Sequence, residues 1–183
     1  MKKNENMTPD EVLEYKIEKV QRRREWKRFF VEFILIAAVL YALFNYVIGI
    51  AFVSGTSMDP GLKDGELVLF YRLDKEYQED DIIIIHREGK LEYIKRVVGL
   101  PGDVVDFDGE GNLLRNGARE IGDYIFSESY PLTGDIEFPY DVPEDSYFVL
   151  GDNRANSKDS RVFGAVKTEE VTGRVFLHLG LAG

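Results

Sequence analysis

The chain has no cysteine among its 183 residues, and it has only two histidines. The absence of cysteine excludes disulfides, thiolate metal sites and a cysteine nucleophile, and it suits a domain outside the cytoplasm. The two histidines, His86 and His178, lie far apart in sequence, and we expect both to be surface or packed strand residues. Any chemistry must then be sought in other side chains.

Positive charge is scarce beyond the N-terminal region. The formal net charge is −10, yet residues 1–28 carry nine Lys/Arg against six Asp/Glu, which leaves 14 against 27 for the rest of the chain. Such an acidic exterior argues against nucleic acid as a partner. The hydrophobic content of 44% is enough for a packed core.

Charge of either sign is missing from residue 33 to residue 58. Residues 33–44 are wholly apolar and the apolar run resumes at 46–53, so the stretch can form a helix that crosses a hydrocarbon layer of about 30 Å. We predict a transmembrane anchor at 29–53. A cleavable signal peptide is the alternative, but both the polar segment before the run and the run itself are too long for one.

The arm at 1–28 ends in a cluster of basic residues. A helix start is predicted at residues 8–11, which read TPDE, with Thr8 as the cap and Pro9 in the first helical position. The positive-inside rule places this arm in the cytosol and the chain from about residue 54 outside, across a plasma membrane. The arm is either a short cytosolic helix that leads into the membrane or a membrane-surface segment.

Short apolar segments separated by turn dipeptides follow the anchor. They predict strands at 66–71, 81–86, 91–98, 104–106, 113–115, 118–121, 146–150 and 171–179. The predicted fold class is mainly β: an antiparallel β domain at 54–183 with one N-terminal transmembrane helix. A small hairpin-rich excursion is expected at 106–142, and no long helix is expected after the anchor.

Ser57 lies in a loop framed by Gly55 and Pro60, directly after the apolar run. Glycine permits an unusual backbone conformation there and proline stiffens the exit. A serine hydroxyl is a poor nucleophile without a base, so an ordinary surface turn is the competing interpretation until a base is found.

Lys95 lies in the strand predicted at 91–98, where Tyr93, Lys95 and Val97 share one face and Arg96 points to the other. If the first face is the core, burial lowers the pKa of the lysine amine, and a neutral amine near Ser57 can accept its proton. The alternative is that both basic side chains extend to solvent.

A polar segment at 151–161 follows the apolar strand at 146–150. It is either a solvent loop or a braced loop at a site, in which Asp152 or Asp159 pairs with Arg161. A serine of the same segment, Ser157 or Ser160, could hydrogen-bond an amine and fix its orientation.

These segments together resemble the type I signal peptidases, the Ser/Lys-dyad leader peptidases of peptidase family S26. The resemblance covers about residues 30–175 in the family's order, and the short excursion looks like the compact single-anchor bacterial members. The matching stretches are 57–60 (SMDP), 65–68 (GELV), 93–103 (YIKRVVGLPGD), 151–153 (GDN), Ser157, 159–161 (DSR) and Gly164.

The resemblance implies Ser57 as nucleophile and Lys95 as general base. It implies Ser157 as the serine that orients the lysine amine. It also implies Asp152 and Arg161 as a structural charged pair, with Asp159 in the same network.

The resemblance leaves the oxyanion hole incomplete. The backbone N–H of Ser57 is implied as one donor. Some members carry a serine two residues before the nucleophile, where this chain has Gly55, so a second donor is sought at Gly55, Ser54 or Thr56. A second departure is Gly61, where threonine is usual, and we expect a looser turn there.

The implied function is removal of N-terminal signal peptides from exported preproteins that carry small residues one and three positions before the cut, with no metal or cofactor. Three alternatives stay open. They are a dedicated peptidase for one substrate such as a pilin, a catalytically silent peptidase-like membrane protein, and a soluble self-cleaving repressor, against which the apolar span argues.

Overall fold

The computed structural model describes residues 8–87, 89, 91–125, 127–132 and 136–180. The chain divides into two compact units, a helical unit (Met1–Asn45) and a β unit (Tyr46–Gly183).

The helical unit consists of one long helix, α1 (Pro9–Ala42), which continues into a π-helical turn at Leu43–Val47. The Thr8 side chain accepts the Glu11 N–H and the Glu11 carboxylate accepts the Thr8 N–H, which is the capping box that the sequence predicts. None of the described residues of α1 is buried. By length and composition the helix is long and apolar enough to cross a membrane.

The predicted anchor at 29–53 is wrong at its C-terminal end. Helical geometry stops at Val47, and the first strand, β1 (Ile48–Phe52), begins with the next residue. Gly49 explains the change, because its backbone lies directly against the Phe70 ring, where a side chain could not fit. Glycine is also a poor helix former, so the apolar run changes structure there without losing hydrophobicity.

Two sheets account for the described strands of the β unit. After β1 they contain β2 (Leu67–Tyr71), β3 (Ile82–Arg87), β4 (Leu91–Gly99), β5 (Val104–Phe107), β6 (Leu113–Arg115), β7 (Ala118–Arg119), β8 (Tyr140–Asp141), β9 (Ser146–Leu150), β10 (Val166–Lys167) and β11 (Val171–Leu179). The larger sheet has the order β1-β2-β11-β3-β4-β9-β10, and the smaller has the order β7-β6-β5-β8. All the pairings between these strands are antiparallel.

Helices are short in the described part of the β unit. They are α2 (Ser160–Phe163) and a single 3₁₀ turn at Thr168–Glu170. The fold class is therefore mainly antiparallel β with one long N-terminal helix, as the sequence predicts. The strands predicted at 113–115 and 118–121 form β6 and the shorter β7 of the smaller sheet, whereas β8 was not predicted.

The core of the β unit places strand β4 between apolar layers. One buried cluster, which includes Ile83, Ile85 and Val97, packs on the β4 face that carries Lys95. A second cluster contains Val53, Met58, Leu62, Val68, Phe70 and Ile84. Because Val53 and Met58 flank Ser57 in sequence, the core fixes both ends of the segment that carries the serine.

Candidate active site

Ser57 and Lys95 come together in the β unit, although 38 positions separate them in sequence. The Lys95 Nζ donates a hydrogen bond to the Ser57 Oγ at 2.8 Å and another to the Ile94 carbonyl at 2.7 Å. The lysine side chain is almost fully buried, with 2% of the residue exposed. It therefore takes the inward of the two orientations that the alternating strand allows.

The surroundings of Lys95 favour a neutral amine. Burial lowers the pKa of Lys95 from 10.5 to about 8, against the opposing effect of the Asp159 and Asp152 carboxylates, which raise it. The Tyr93 ring lies 5.8 Å from Nζ on the same strand face. A substantial fraction of this amine is therefore already neutral at a pH slightly above 7, where an exposed lysine is almost fully protonated.

The serine loop (residues 53–58) has a backbone shape that only glycine adopts easily. Gly55 has φ +86°, and its N–H donates to the Asp64 carboxylate at 2.7 Å. This bond occupies the Gly55 N–H, so that candidate is not available as an oxyanion donor in this conformation. No described residue accepts a hydrogen bond from the Ser57 N–H, which keeps it as a donor candidate.

A polar loop (residues 151–161) follows β9 and holds the serine loop from the other side. The Asn153 N–H donates to the Ser57 carbonyl at 3.1 Å, and the Asn153 side-chain amide donates to the Thr56 carbonyl at 3.1 Å. The Asn156 amide donates to the Thr56 hydroxyl at 3.0 Å. The sequence analysis gave neither asparagine a role, although Asn153 lies in the matching stretch 151–153.

Two buried ion pairs brace the polar loop, and they differ from the pair that the resemblance implies. Asp152 accepts two hydrogen bonds from the Arg96 guanidinium, at 2.8 and 2.7 Å, rather than pairing with Arg161. The reason is the strand register: Arg96 lies opposite Leu150, so the residue two positions beyond β9 meets the outward face of β4. The predicted Asp152–Arg161 pair is therefore wrong.

Arg161 binds Asp159, the alternative partner that the sequence offered. Its guanidinium donates two hydrogen bonds of 2.9 Å to that carboxylate, which also caps α2 through the Arg161 N–H and accepts the Gly151 N–H at 3.1 Å. Both side chains are almost fully buried. Asp159 thus fixes the start and the end of the polar loop at once.

Neither of the two serines considered as partners of the lysine amine forms a hydrogen bond with it. The Ser157 Oγ is buried and makes no hydrogen bond with any described residue, and it packs against Gly151 instead. The Ser160 Oγ accepts the Val149 N–H at 2.9 Å. The predicted orienting contact from Ser157 is therefore not formed in this structure.

Gly61 marks close packing rather than the looser turn expected from sequence. A Cβ at this position would overlap the Asp152 carboxylate. The missing side chain lets the Asp152–Arg96 pair lie directly against the segment that leads away from Ser57.

A small cleft opens beside the dyad. Its volume is about 90 Å³, and the residues around it are Ala51, Phe52, Val53, Ser54, Ser57, Met58, Ile84, Glu92, Tyr93, Ile94 and Lys95. Met58 contributes from the core side, because only 1% of it is exposed. The described residues contain no cluster of His, Asp and Glu suited to a metal ion.

A buried lysine in hydrogen-bond contact with a serine at the edge of a small cleft is an arrangement in which an amine can activate a serine for hydrolysis. Comparison with known proteins gives the family. Residues 24–179 match the family model described as signal peptidase, peptidase S26.

Several curated proteins are similar to this chain. Signal peptidase I of Bacillus licheniformis is 39% identical over 81% of this chain and 84% of its own length. Signal peptidase I of Bacillus caldolyticus is 34% identical over 86% and 91%, and signal peptidase IB of Staphylococcus aureus is 28% identical over 84% and 88%. A crystal structure of a signal peptidase I from Enterococcus faecalis, 33% identical, covers 55% of this chain and 97% of its own, with a TM-score of 0.48. The chain belongs to the signal peptidase family, peptidase S26.

Proposed function

We propose that this protein is a membrane-anchored serine endopeptidase that removes signal peptides from exported preproteins, with Ser57 as nucleophile and Lys95 as general base. The observation that carries the assignment is the 2.8 Å contact between Lys95 Nζ and Ser57 Oγ, made by a lysine that is 2% exposed. Membership of the family and the names of its similar members support the reaction class.

The reaction follows from the state of the lysine. In the neutral amine one N–H still donates to the Ile94 carbonyl, while the lone pair accepts the proton of the Ser57 hydroxyl. The serine oxygen attacks the scissile carbonyl, and the protonated lysine then gives its proton to the leaving amine. The same amine deprotonates the water that releases the acyl-enzyme.

The geometry supports the Ser57 N–H as one hydrogen-bond donor to the oxyanion. The serine loop is held on both sides, by Asp64 at Gly55 and by Asn153 at the Ser57 carbonyl, so this N–H is fixed before substrate arrives. Ser54 and Thr56 stay as candidates for a second donor. The Thr56 Oγ1 already accepts from Asn156, which leaves its own proton to donate.

The substrate is an extended segment with small side chains one and three residues before the cut. The cleft of about 90 Å³ supports this, because a cavity of that size has room only for small side chains. Edge strand β1 has unpaired backbone groups on one side, and an extended peptide can add to such an edge.

The helix α1 serves as the anchor, and charge sets its direction. The basic arm at 1–28 lies on the cytosolic side and the β unit lies outside the plasma membrane. The anchor then keeps the active site at the membrane from which preproteins emerge, so no further means of bringing enzyme and substrate together is required.

Cleavage of a purified preprotein by the full chain in detergent tests the assignment. Ser57→Ala and Lys95→Arg should both abolish cleavage, the second because arginine stays protonated. Lys167→Arg is the matched control, since the Lys167 side chain is 58% exposed and lies away from the dyad. Full activity in Lys95→Arg would contradict the proposal.

A further inference from the structure

Arg154 is a buried arginine that the mechanism does not use, and its partners come from a distant part of the chain. Its guanidinium donates to the Glu120 carboxylate at 2.8 and 2.9 Å and also contacts the Ser129 hydroxyl. Only 1% of Arg154, 9% of Glu120 and 1% of Ser129 is exposed. Both partners belong to the excursion at 106–142, and neither touches the dyad.

We propose that Glu120 and Ser129 are positioning residues for the peptidase reaction, acting through Arg154 on the serine loop. This inference rests on the proposed function of Ser57 and Lys95. It assigns to the excursion the task of holding the polar loop against the nucleophile.

The path from Glu120 to Ser57 is short and consists of direct contacts. Arg154 follows Asn153, whose N–H binds the Ser57 carbonyl and whose amide binds the Thr56 carbonyl. A guanidinium fixed by two hydrogen bonds to one carboxylate has little freedom to rotate. A shift of Arg154 therefore moves its neighbour Asn153, which holds the backbone of Ser57.

Arg154 also ties into the second buried arginine of the polar loop. The Arg154 carbonyl accepts a hydrogen bond of 2.7 Å from Arg161, the partner of Asp159. Loss of the Glu120 carboxylate would leave a buried, uncompensated guanidinium beside this network, and such a charge moves toward water or draws water in.

The excursion meets the site region at two further points, and both involve arginines. The Tyr130 carbonyl accepts from Arg161 at 3.3 Å, and the Tyr124 ring stacks on Arg96 with 4.4 Å between the guanidinium carbon and the ring centroid. Described residues between 120 and 130 thus contact each of the three arginines around the polar loop. A segment that only filled space would not need a specific contact to a charged side chain at all three.

The consequence for chemistry is a buried and ordered position for Lys95. Its amine hydrogen-bonds the Ser57 hydroxyl and the Ile94 carbonyl and lies near the Tyr93 ring. The Asp152 and Asp159 carboxylates of the polar loop act on it electrostatically. If the polar loop loosens and water enters, the burial that lowers the pKa of Lys95 is reduced, and the amine becomes neutral only at higher pH.

The test is steady-state cleavage of a preprotein by the full chain in detergent, measured from neutral to alkaline pH. Glu120→Gln should lower kcat about tenfold to a hundredfold, with little change in KM, and should move the midpoint of the kcat–pH curve to higher pH. Ser129→Ala should do the same to a smaller degree. Glu110→Gln removes the same charge from an exposed position of the excursion and should behave as wild type.

The outcomes separate positioning from stability. Activity that falls only with the unfolded fraction, with kcat per folded molecule and pH midpoint unchanged in both variants, overturns the inference. If Glu120→Gln does not fold, the double variant Glu120→Met with Arg154→Met removes both charges, and wild-type kcat in it overturns the inference as well. If the wild type cleaves no faster than Ser57→Ala, the proposed function fails instead.

Discussion

The two units of this protein depart from the usual burial pattern in opposite ways. In the helical unit, large apolar residues are exposed: Ile34 is 62% exposed and Val39 67%. In the β unit, charged residues are buried: Lys95 is 2% exposed and Arg154 and Arg161 are 1%. Arginine and lysine are almost never fully buried in soluble proteins unless they are paired, so both units depart from the usual pattern.

The difference shows which environment each unit requires. An unburied apolar helix needs a hydrocarbon solvent, which is why α1 is identified as a membrane anchor. Buried charges need fixed partners, and here each buried arginine has a carboxylate while Lys95 has the Ser57 hydroxyl and a carbonyl. The exception is informative, because Lys95, the one buried cation among the described residues without a direct carboxylate partner, is the residue that we propose as the general base.

The largest effect on stability is expected from breaking a buried pair in the β unit. Asp159→Asn should lower the free energy of unfolding by about 3–5 kcal/mol, because the Arg161 charge would stay buried without a counter-charge. Urea unfolding of the detergent-solubilised protein measures this. Glu169→Gln is the control, since the Glu169 side chain is 79% exposed in its pair with Lys167, and an equal loss in both variants would contradict the argument.

Replacing the buried lysine by an apolar residue should stabilise the protein while it abolishes activity. A pKa lowered from 10.5 to about 8 corresponds to about 3 kcal/mol of penalty on the charged amine. Lys95→Met should remove that penalty, so the variant should unfold at higher urea concentration than wild type at pH 7.

The pH dependence of that gain has a definite sign. Below pH 8 lysine is protonated in both the folded and the unfolded chain, so the penalty is present in full. Between about 8 and 10.5 the folded chain binds fewer protons than the unfolded chain, and wild-type stability rises with pH. The advantage of Lys95→Met should therefore shrink over this range, and an advantage that stays constant would count against a desolvated amine.

Much of this arrangement was predictable from local sequence, and the rest depended on contacts between distant residues. The capping box at Thr8 follows from spacing alone. The alternation of the strand put Lys95 and Arg96 on opposite faces but left the inward direction of Lys95 to the structure. The end of the anchor did not follow from spacing either, because an apolar run reads the same as helix or strand until Gly49 is seen against Phe70.

The ion pairs of the site show the same limit more clearly. Asp152 meets Arg96 because of a register between β4 and β9 that no local pattern specifies. Glu120 and Arg154 are 34 positions apart, and nothing in either segment indicates the other. The order of the motifs along the chain indicated where the candidate site lies. The ion pairs that hold its loops depend on tertiary contacts.

A charge placed in the apolar run of the helical unit should weaken membrane insertion without changing the stability of the β unit. Val39→Arg should make insertion of the anchor less favourable by about 2.5–3.5 kcal/mol, because Val39 lies in the apolar run. A membrane-insertion assay measures this, with Val39→Ile as the matched control. Urea unfolding of the β unit in detergent should be unchanged, and a parallel loss there would show that the two units are not independent.

The smallest effect is expected from the exposed ion pair of α1. Arg28 and Glu32 lie 2.8 Å apart, as close as the buried pairs of the β unit, but their side chains are 83% and 56% exposed. Water screens such a pair, and an ion pair between residues four positions apart on a helix contributes only about 0.2–0.5 kcal/mol. Arg28→Gln should therefore leave both helicity and unfolding within about 0.5 kcal/mol of wild type, measured by circular dichroism and urea. Since the distances match those of Asp159 and Arg161, a larger loss would mean that geometry rather than burial decides the strength of these pairs.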